Sequence, residues 1–498
     1  MDWFNFLHRP ARKWVVMPLL GVMTLLGVLI LGWQPPAIAT TARHYTELDF
    51  PPLPEIQIPA YERYELPNGL VVYLLEDHEL PLVSGSATFR TGTRFEPADK
   101  TGLGSLMGEA MRLGGTETLS PDELNERLER RAASVETGLD DTTGSASFNV
   151  LTENLDEVFA IFADVVQRPA FAPDRINFLK NQYAGGIARR NDDPDDVATR
   201  EFRKLVYGSD SPYARTIEYA TIDAISREDV LDFYRASIRP ERAILGIVGD
   251  FDSEQMKQLI AKNFGNWQGT GQPLAISELP KVNQAKTGVF AVNQPQLTQS
   301  YVYVGHLGGQ VNYPDHGPLS VMNEVLNGFG GRLFNEVRSR QGLAYSVYAY
   351  WSPRWDYPGL FIGGGQTRSD ATVPFVQSVK EEIERIRTNP ITQEELARAK
   401  DSVLNSFVFN FQDPAQTLSR LIRYEYYGYP SDFVFRFQKS VENTTIEAVQ
   451  AAAQKHLDPD RLVTLVVGNA SAMEPPLAAL SPDTTVTNID ITIPKPGA

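Results

Sequence analysis

There is no cysteine in these 498 residues. That excludes disulfides, thiolate-bound zinc, iron–sulfur clusters and thiol nucleophiles together. It also suits a protein exported to an oxidising compartment, where an unpaired thiol is a hazard. Basic charge is short as well: 46 Lys and Arg stand against 62 Asp and Glu, a net −16. The electrostatic footprint of a nucleic-acid binder is therefore missing. Histidine is scarcer still, with six in all: His8, His44, His78, His306, His316 and His456. No two of them lie four apart, and none falls between His78 and His306. The acidic run "DDPDD" at 192–196 lacks the alternating ligands and glycine of a calcium loop. It reads instead as the acidic start of a helix at a proline turn.

What is present begins with a leader. Arg9, Arg12 and Lys13 precede Trp14–Trp33, twenty residues without a charge, and Ala37-Ile38-Ala39 follows as a small-x-small site. Residues 1–39 are expected to be a secretory signal, or a membrane anchor through 14–33 if the signal stays uncleaved. The chain is then exported, to the periplasm or another extracytoplasmic space. Residues 40–60 form a Pro-rich lead.

Beyond the lead, strand and helix signals alternate. "PNGLVVYLLED" gives an Asn-Gly turn and a strand, and "LVSGSATF" a second strand. In "TGLGSLMGEAMRLGG", 101–115, Leu103, Leu106, Met107, Ala110 and Met111 make the apolar stripe of a helix. Ser120 opens a further helix with a capping box to Glu123 and Pro121 at its first position. The pattern then repeats: 101–115 aligns without a gap on "HGPLSVMNEVLNGFG", 316–330. Asp193-Pro194 recurs as Asp413-Pro414, and "RPERAILGIVGD" (239–250) as "DPDRLVTLVVGN" (458–469). One fold is thus used twice. The expectation is an α+β chain of two homologous domains, 61–270 and 288–475, joined by a linker at 271–287 and followed by an exposed tail at 476–498. Each domain is an antiparallel sheet with helices packed on one side, and the two face each other across a cleft.

These stretches, with "TGTRFEPADKTGLGSL", "NDDPDDVATREFRKLVYGSDSPYAR" and "GGRLFNEVRSRQGLAYSVYAY", are similar to the pitrilysin/insulinase (inverzincin) family of zinc metallopeptidases, close to its processing-peptidase-like members. The resemblance runs over roughly 61–470. It implies His-x-x-Glu-His on the opening helix and a further Glu about 75 residues on, two histidines on one helix face holding Zn²⁺ beside a general base. The chain departs from that pattern at all three metal-ligand positions, with no histidine in either register. The matching stretch is "SLMGE", Ser105 to Glu109, or one residue later "LMGEA", ending at Ala110, and the downstream Glu falls at Gly186. Ser105, Gly108, Glu109, Ala110 and Gly186 are therefore degenerate zinc-site positions, and Glu109 reads as a helix-surface residue pairing with Arg112. No metal or cofactor is expected in this chain.

In the second half the resemblance implies a substrate-binding Arg and Tyr seven apart, at Arg338 and Tyr345. A guanidinium and a phenol can stabilise a peptide oxyanion together. The alternative is structural, with Arg338 capping its helix and Tyr345 filling a strand face. Family members that work as heterodimers, with peptides bound along a sheet edge, suggest a non-catalytic subunit. Its partners would be a homologous zinc-bearing subunit and peptides. The alternative from another class is a metal-free peptide-binding or scaffold protein.

Overall fold

The computed structural model describes residues 58–495 except 276–278 and 280. The leader and most of the Pro-rich lead lie outside the described residues. Among those described, no helix is long and apolar enough to cross a membrane.

Two six-stranded sheets carry the two halves of the repeat. In space the first runs β1 (Glu62–Glu65), β2 (Val71–Glu76), β6 (Ala243–Gly249), β3 (Leu82–Phe89), β5 (Gly144–Leu151), β4 (Ser134–Leu139). The second runs β12 (Val486–Asn488), β7 (Gly288–Asn293), β11 (Val463–Gly468), β8 (Gln299–Leu307), β10 (Leu360–Arg368), β9 (Ala344–Ser352). Pairing is antiparallel except for β2–β6 in the first sheet and β7–β11 and β7–β12 in the second. The first and last described strands, β1 and β12, form one edge of each sheet, and β4 and β9 form the other. Period-two alternation shows in β3, where Val83, Gly85, Ala87 and Phe89 turn inward. The helices α1 (Leu103–Leu113), α2 (Pro173–Arg189) and α3 (Pro194–Tyr207) belong to the first half. The second contributes α4 (His316–Asn327), the repeat of α1, and α5 (Pro414–Tyr427), the repeat of α3. The stripe on α1 enters the first core as expected, with Leu106, Met107 and Ala110 fully buried.

The expectation of helices on one side of each sheet needs correction. Every residue of β6 and of β11 is buried, so these apolar runs are covered on both faces. Each cover comes from the other half. α3 sets Val197, Ala198, Phe202 and Leu205 against Phe290, Val292, Val463 and Leu465 of the second sheet. α5 sets Leu418, Leu421 and Ile422 against Tyr73, Leu75 and Ile244 of the first. Gly246 makes room for this: a Cβ there would fall 2.3 Å from Ile422 Cδ1. The repeated Asp-Pro pairs start these exchanged helices, Asp193 and Asp413 each accepting a main-chain N–H two residues on. Polar contacts lock the same joint. Arg94 Nη1 lies 2.7 Å from Asp356 Oδ2 with the arginine side chain only 3% exposed, and Tyr426 Oη donates to Thr142 O at 2.6 Å. Both halves belong to one compact unit.

The segment expected to be an exposed tail is mostly exposed over its described part, 476–495, but is attached to both halves. Leu477 is buried, β12 joins β7, and Ile491 O accepts from Asn191 Nδ2 of the first half at 2.7 Å.

Candidate functional site

The opening helix α1 starts at Gly102, whose φ of 105° is left-handed. Its first N–H groups are satisfied by Glu96, which accepts from Gly102 N at 3.0 Å and Gly104 N at 2.8 Å. Burial pushes the Glu96 carboxyl above the usual range, against the pull of those two N–H groups. Sequence reading missed this residue, because a cap six residues before the helix matches no local capping pattern.

Burial separates the two registers of the zinc motif. Leu106 and Ala110 are fully buried, so the later register points into the core. Ser105 and Glu109 are half-buried and make the face that could meet a ligand. Ser105 stands between two clefts. One, ≈ 330 Å³, is lined by Thr93, Leu139, Asp140, Asp141 and the second-half residues Arg354 to Tyr357. The other, ≈ 320 Å³, includes Glu96, Arg203 and Tyr213. Glu109 accepts from Tyr183 Oη of α2 at 2.7 Å. The expected Glu109–Arg112 pair does not form, since Arg112 donates to Val135 O and Asn125 Oδ1 instead, each at 2.8 Å. Burial, and then the Glu109 carboxylate, raise the Tyr183 phenol well above its ordinary range. Gly186 lies exposed one turn beyond Tyr183 on α2.

Zinc takes three or four Cys, His, Asp or Glu donors. The face offers one carboxylate, already hydrogen-bonded, and a hydroxyl. These residues do not fit the ion. Among the described residues, no group of three or more such side chains is placed to hold a metal.

The second half is built differently. β9 faces α4 along its outer edge, and the main-chain groups there are held by two asparagine forks. Asn323 Nδ2 donates to Trp351 O at 3.0 Å while its Oδ1 accepts from Trp351 N at 2.8 Å. Asn327 does the same to Ala349, at 2.7 and 2.8 Å. Trp351 is buried, so replacing Asn323 by alanine strands two main-chain groups. The expected cost is about 2–6 kcal/mol, at 1–3 kcal/mol for each unsatisfied group, read as a lower urea midpoint at unchanged slope.

The forks end before the start of β9. There Ala344 pairs with Thr367 and Ser346 with Gln366, so Tyr345 is the extra residue of a bulge. It does not fill a strand face: it is 83% exposed. Arg338 comes from a seven-residue π-helical stretch, Phe334–Arg340, a rare conformation often found at functional sites. Its guanidinium carbon lies 4.8 Å from the Phe334 ring centre and 4.7 Å from that of Tyr345. Arg340 is held by Glu336, whereas Arg338 has neither an ion pair nor a hydrogen bond among the described residues. Arg332 anchors the stretch with a two-pronged pair to Glu395, at 2.7 and 3.0 Å. Burial opposes ionisation of Glu395, but the Arg332 bonds and the Thr392 N–H outweigh it and bring its carboxyl down to about 2. The structure thus brings Arg338 and Tyr345 together. It does not bring them to the Ser105 clefts, whose walls contain neither residue.

Two duplicated α+β lobes, an opening helix beside an edge strand and no ligand set on it define a peptidase-like fold with a degenerate metal site. Residues 71–218 match the family model described as Insulinase (Peptidase family M16), and residues 224–403 match that of the Peptidase M16 inactive domain. The chain belongs to peptidase family M16. It is 25% identical over 363 residues to the uncharacterized zinc protease YmxG of Bacillus subtilis, spanning 72% of this chain and 86% of that one. An uncharacterized zinc protease of Rickettsia bellii is 27% identical over 346 residues, 68% and 81% of the two chains. Among solved structures, a peptidase M16 inactive domain from Pseudomonas fluorescens superposes with a TM-score of 0.74 at 24% identity, covering 82% of this chain and 98% of that one. The periplasmic protease PqqL of Escherichia coli gives 0.70 at 17% identity, covering 82% of this chain and 46% of that one. These two likenesses establish the fold.

Proposed function

We propose that this chain is a non-catalytic, peptide-binding subunit of an exported zinc metallopeptidase, completing the chamber of a homologous zinc-bearing partner. One observation carries the reading: Arg338 lies against two aromatic rings with its donors unpaired among the described residues, beside an exposed Tyr345 and apart from the chain's own degenerate helix. A guanidinium held this way is prepared for an oxyanion that its own chain does not generate. Tyr345 adds a second donor. With Ala349 and Trp351 held by the asparagine forks, the outer edge of β9 from Tyr345 to Val347 is where, among the described residues, an extended peptide would pair, next to the two side chains. Export rests on the leader at 1–39.

The test mixes the purified chain with a homologous subunit carrying His-x-x-Glu-His and follows cleavage of a fluorogenic peptide. Activity is expected only in the mixture. A mixture that stays inactive while the chain alone still binds peptides would support the metal-free binding or scaffold reading.

A further inference from the structure

The degenerate positions on α1 and α2 are not equivalent, and the difference lies in what surrounds each. Ser105 stands on the wall shared by two clefts. Glu109 is half-buried, and among the described residues its carboxylate accepts one side-chain hydrogen bond, from the Tyr183 hydroxyl. A Cβ at Gly186 would meet nothing within 4 Å. Gly108 is the opposite case. A Cβ there would fall 2.6 Å from Leu139 N and 2.8 Å from Gly138 C, both main-chain atoms of β4. Side-chain carbons do not survive that close to a backbone, so any larger residue must lift the strand off the helix.

The strand is not free to lift. Gly108 O accepts from Thr137 Oγ1 at 2.6 Å, and Arg112 one turn later holds Val135 O. At the matching place in the repeat the second half fastens its own edge strand with the Asn323 fork on Trp351. In both halves this helix position is where the edge strand attaches.

We infer that Gly108, the place of the general base, has become a structural joint closed to any side chain, while Ser105, Glu109 and Gly186 remain open to metal-binding side chains. Loss of the base is fixed by packing; loss of the ligands is not. This goes beyond the partner role proposed above and does not depend on it.

The test uses the full chain and two readouts, metal content and thermal unfolding. Ser105→His/Glu109→His/Gly186→Glu is expected to keep about one zinc per chain through dialysis, with Tm within about 3 °C of the parent. Adding Gly108→Glu is expected to lower Tm by about 10 °C or more, or to abolish soluble protein. Gly108→Ala alone, the smallest intrusion, lowers Tm by about 5 °C and keeps the test readable if the fourfold variant does not fold. Either Gly108 variant with the parent's Tm would overturn the closed joint. A threefold variant holding no more zinc than the parent would overturn the open positions.

Discussion

Replacing Arg338 by alanine is expected to lower kcat of the mixed peptidase by about 10²-fold, the scale set by losing one preorganised oxyanion donor. KM should change little, because a donor that engages the developing charge acts on the transition state and not on substrate capture. The isolated chain should unfold almost as before. Arg338 makes no hydrogen bond among the described residues, and its ring contacts are worth about 0.5–1 kcal/mol each at an exposed site. Arg338→Lys keeps the charge but not the flat fork between the rings, so it should recover only part of the rate. Arg340→Ala serves as the control, since Arg340 is already paired with Glu336 and should leave kcat near the parent value. Steady-state kinetics on the mixture checks all three. An unchanged kcat in Arg338→Ala would leave the arginine a purely structural role.

The second large effect concerns stability. Asp356→Ala would leave Arg94 buried without its counter-charge, and breaking such a pair costs about 3–5 kcal/mol. The pair is imperfectly satisfied: Arg94 Nε and Asp356 Oδ1 are buried without hydrogen-bond partners. Replacing both residues by apolar ones of similar size, Arg94→Met with Asp356→Leu, should therefore recover most of the loss and end within about 1 kcal/mol of the parent. A urea-unfolding double-mutant cycle measures both, with a coupling well above that of independent sites expected. Additive effects would mean that the ion pair does not hold the halves together.

The sequence spoke most clearly where the interaction is local or periodic. The Ser120 capping box forms as read, with Ser120 Oγ accepting from Glu123 N. The duplicated 101–115 and 316–330 stretches do become matching helices, each beside the edge strand of its sheet. Contacts between segments far apart in the chain could not be read this way. The apolar strings "AILGIVG" and "VTLVVG" look alike whether one face or two are covered, and nothing local says that the second cover comes from more than 150 residues away, as with Ile422 on Ile244. Asn323 and Asn327 read as ordinary helix-surface amides until β9 is laid beside them. At the site, the loss of histidines was plain from composition. The closure at Gly108 was not, because a glycine in a helix does not announce which backbone has moved against it. Tyr345 was found through resemblance, while its exposure comes from a one-residue bulge that strand alternation does not mark.

The crossing of α3 and α5 gives the duplicated chain a dependence that its repeat conceals. Each half wears as its outer coat a helix encoded in the other, so a fragment ending near residue 270 would present Tyr73, Leu75 and Ile244 to water. Although the gene looks like two copies of one unit, either copy expressed alone is expected to lack one apolar cover of its sheet.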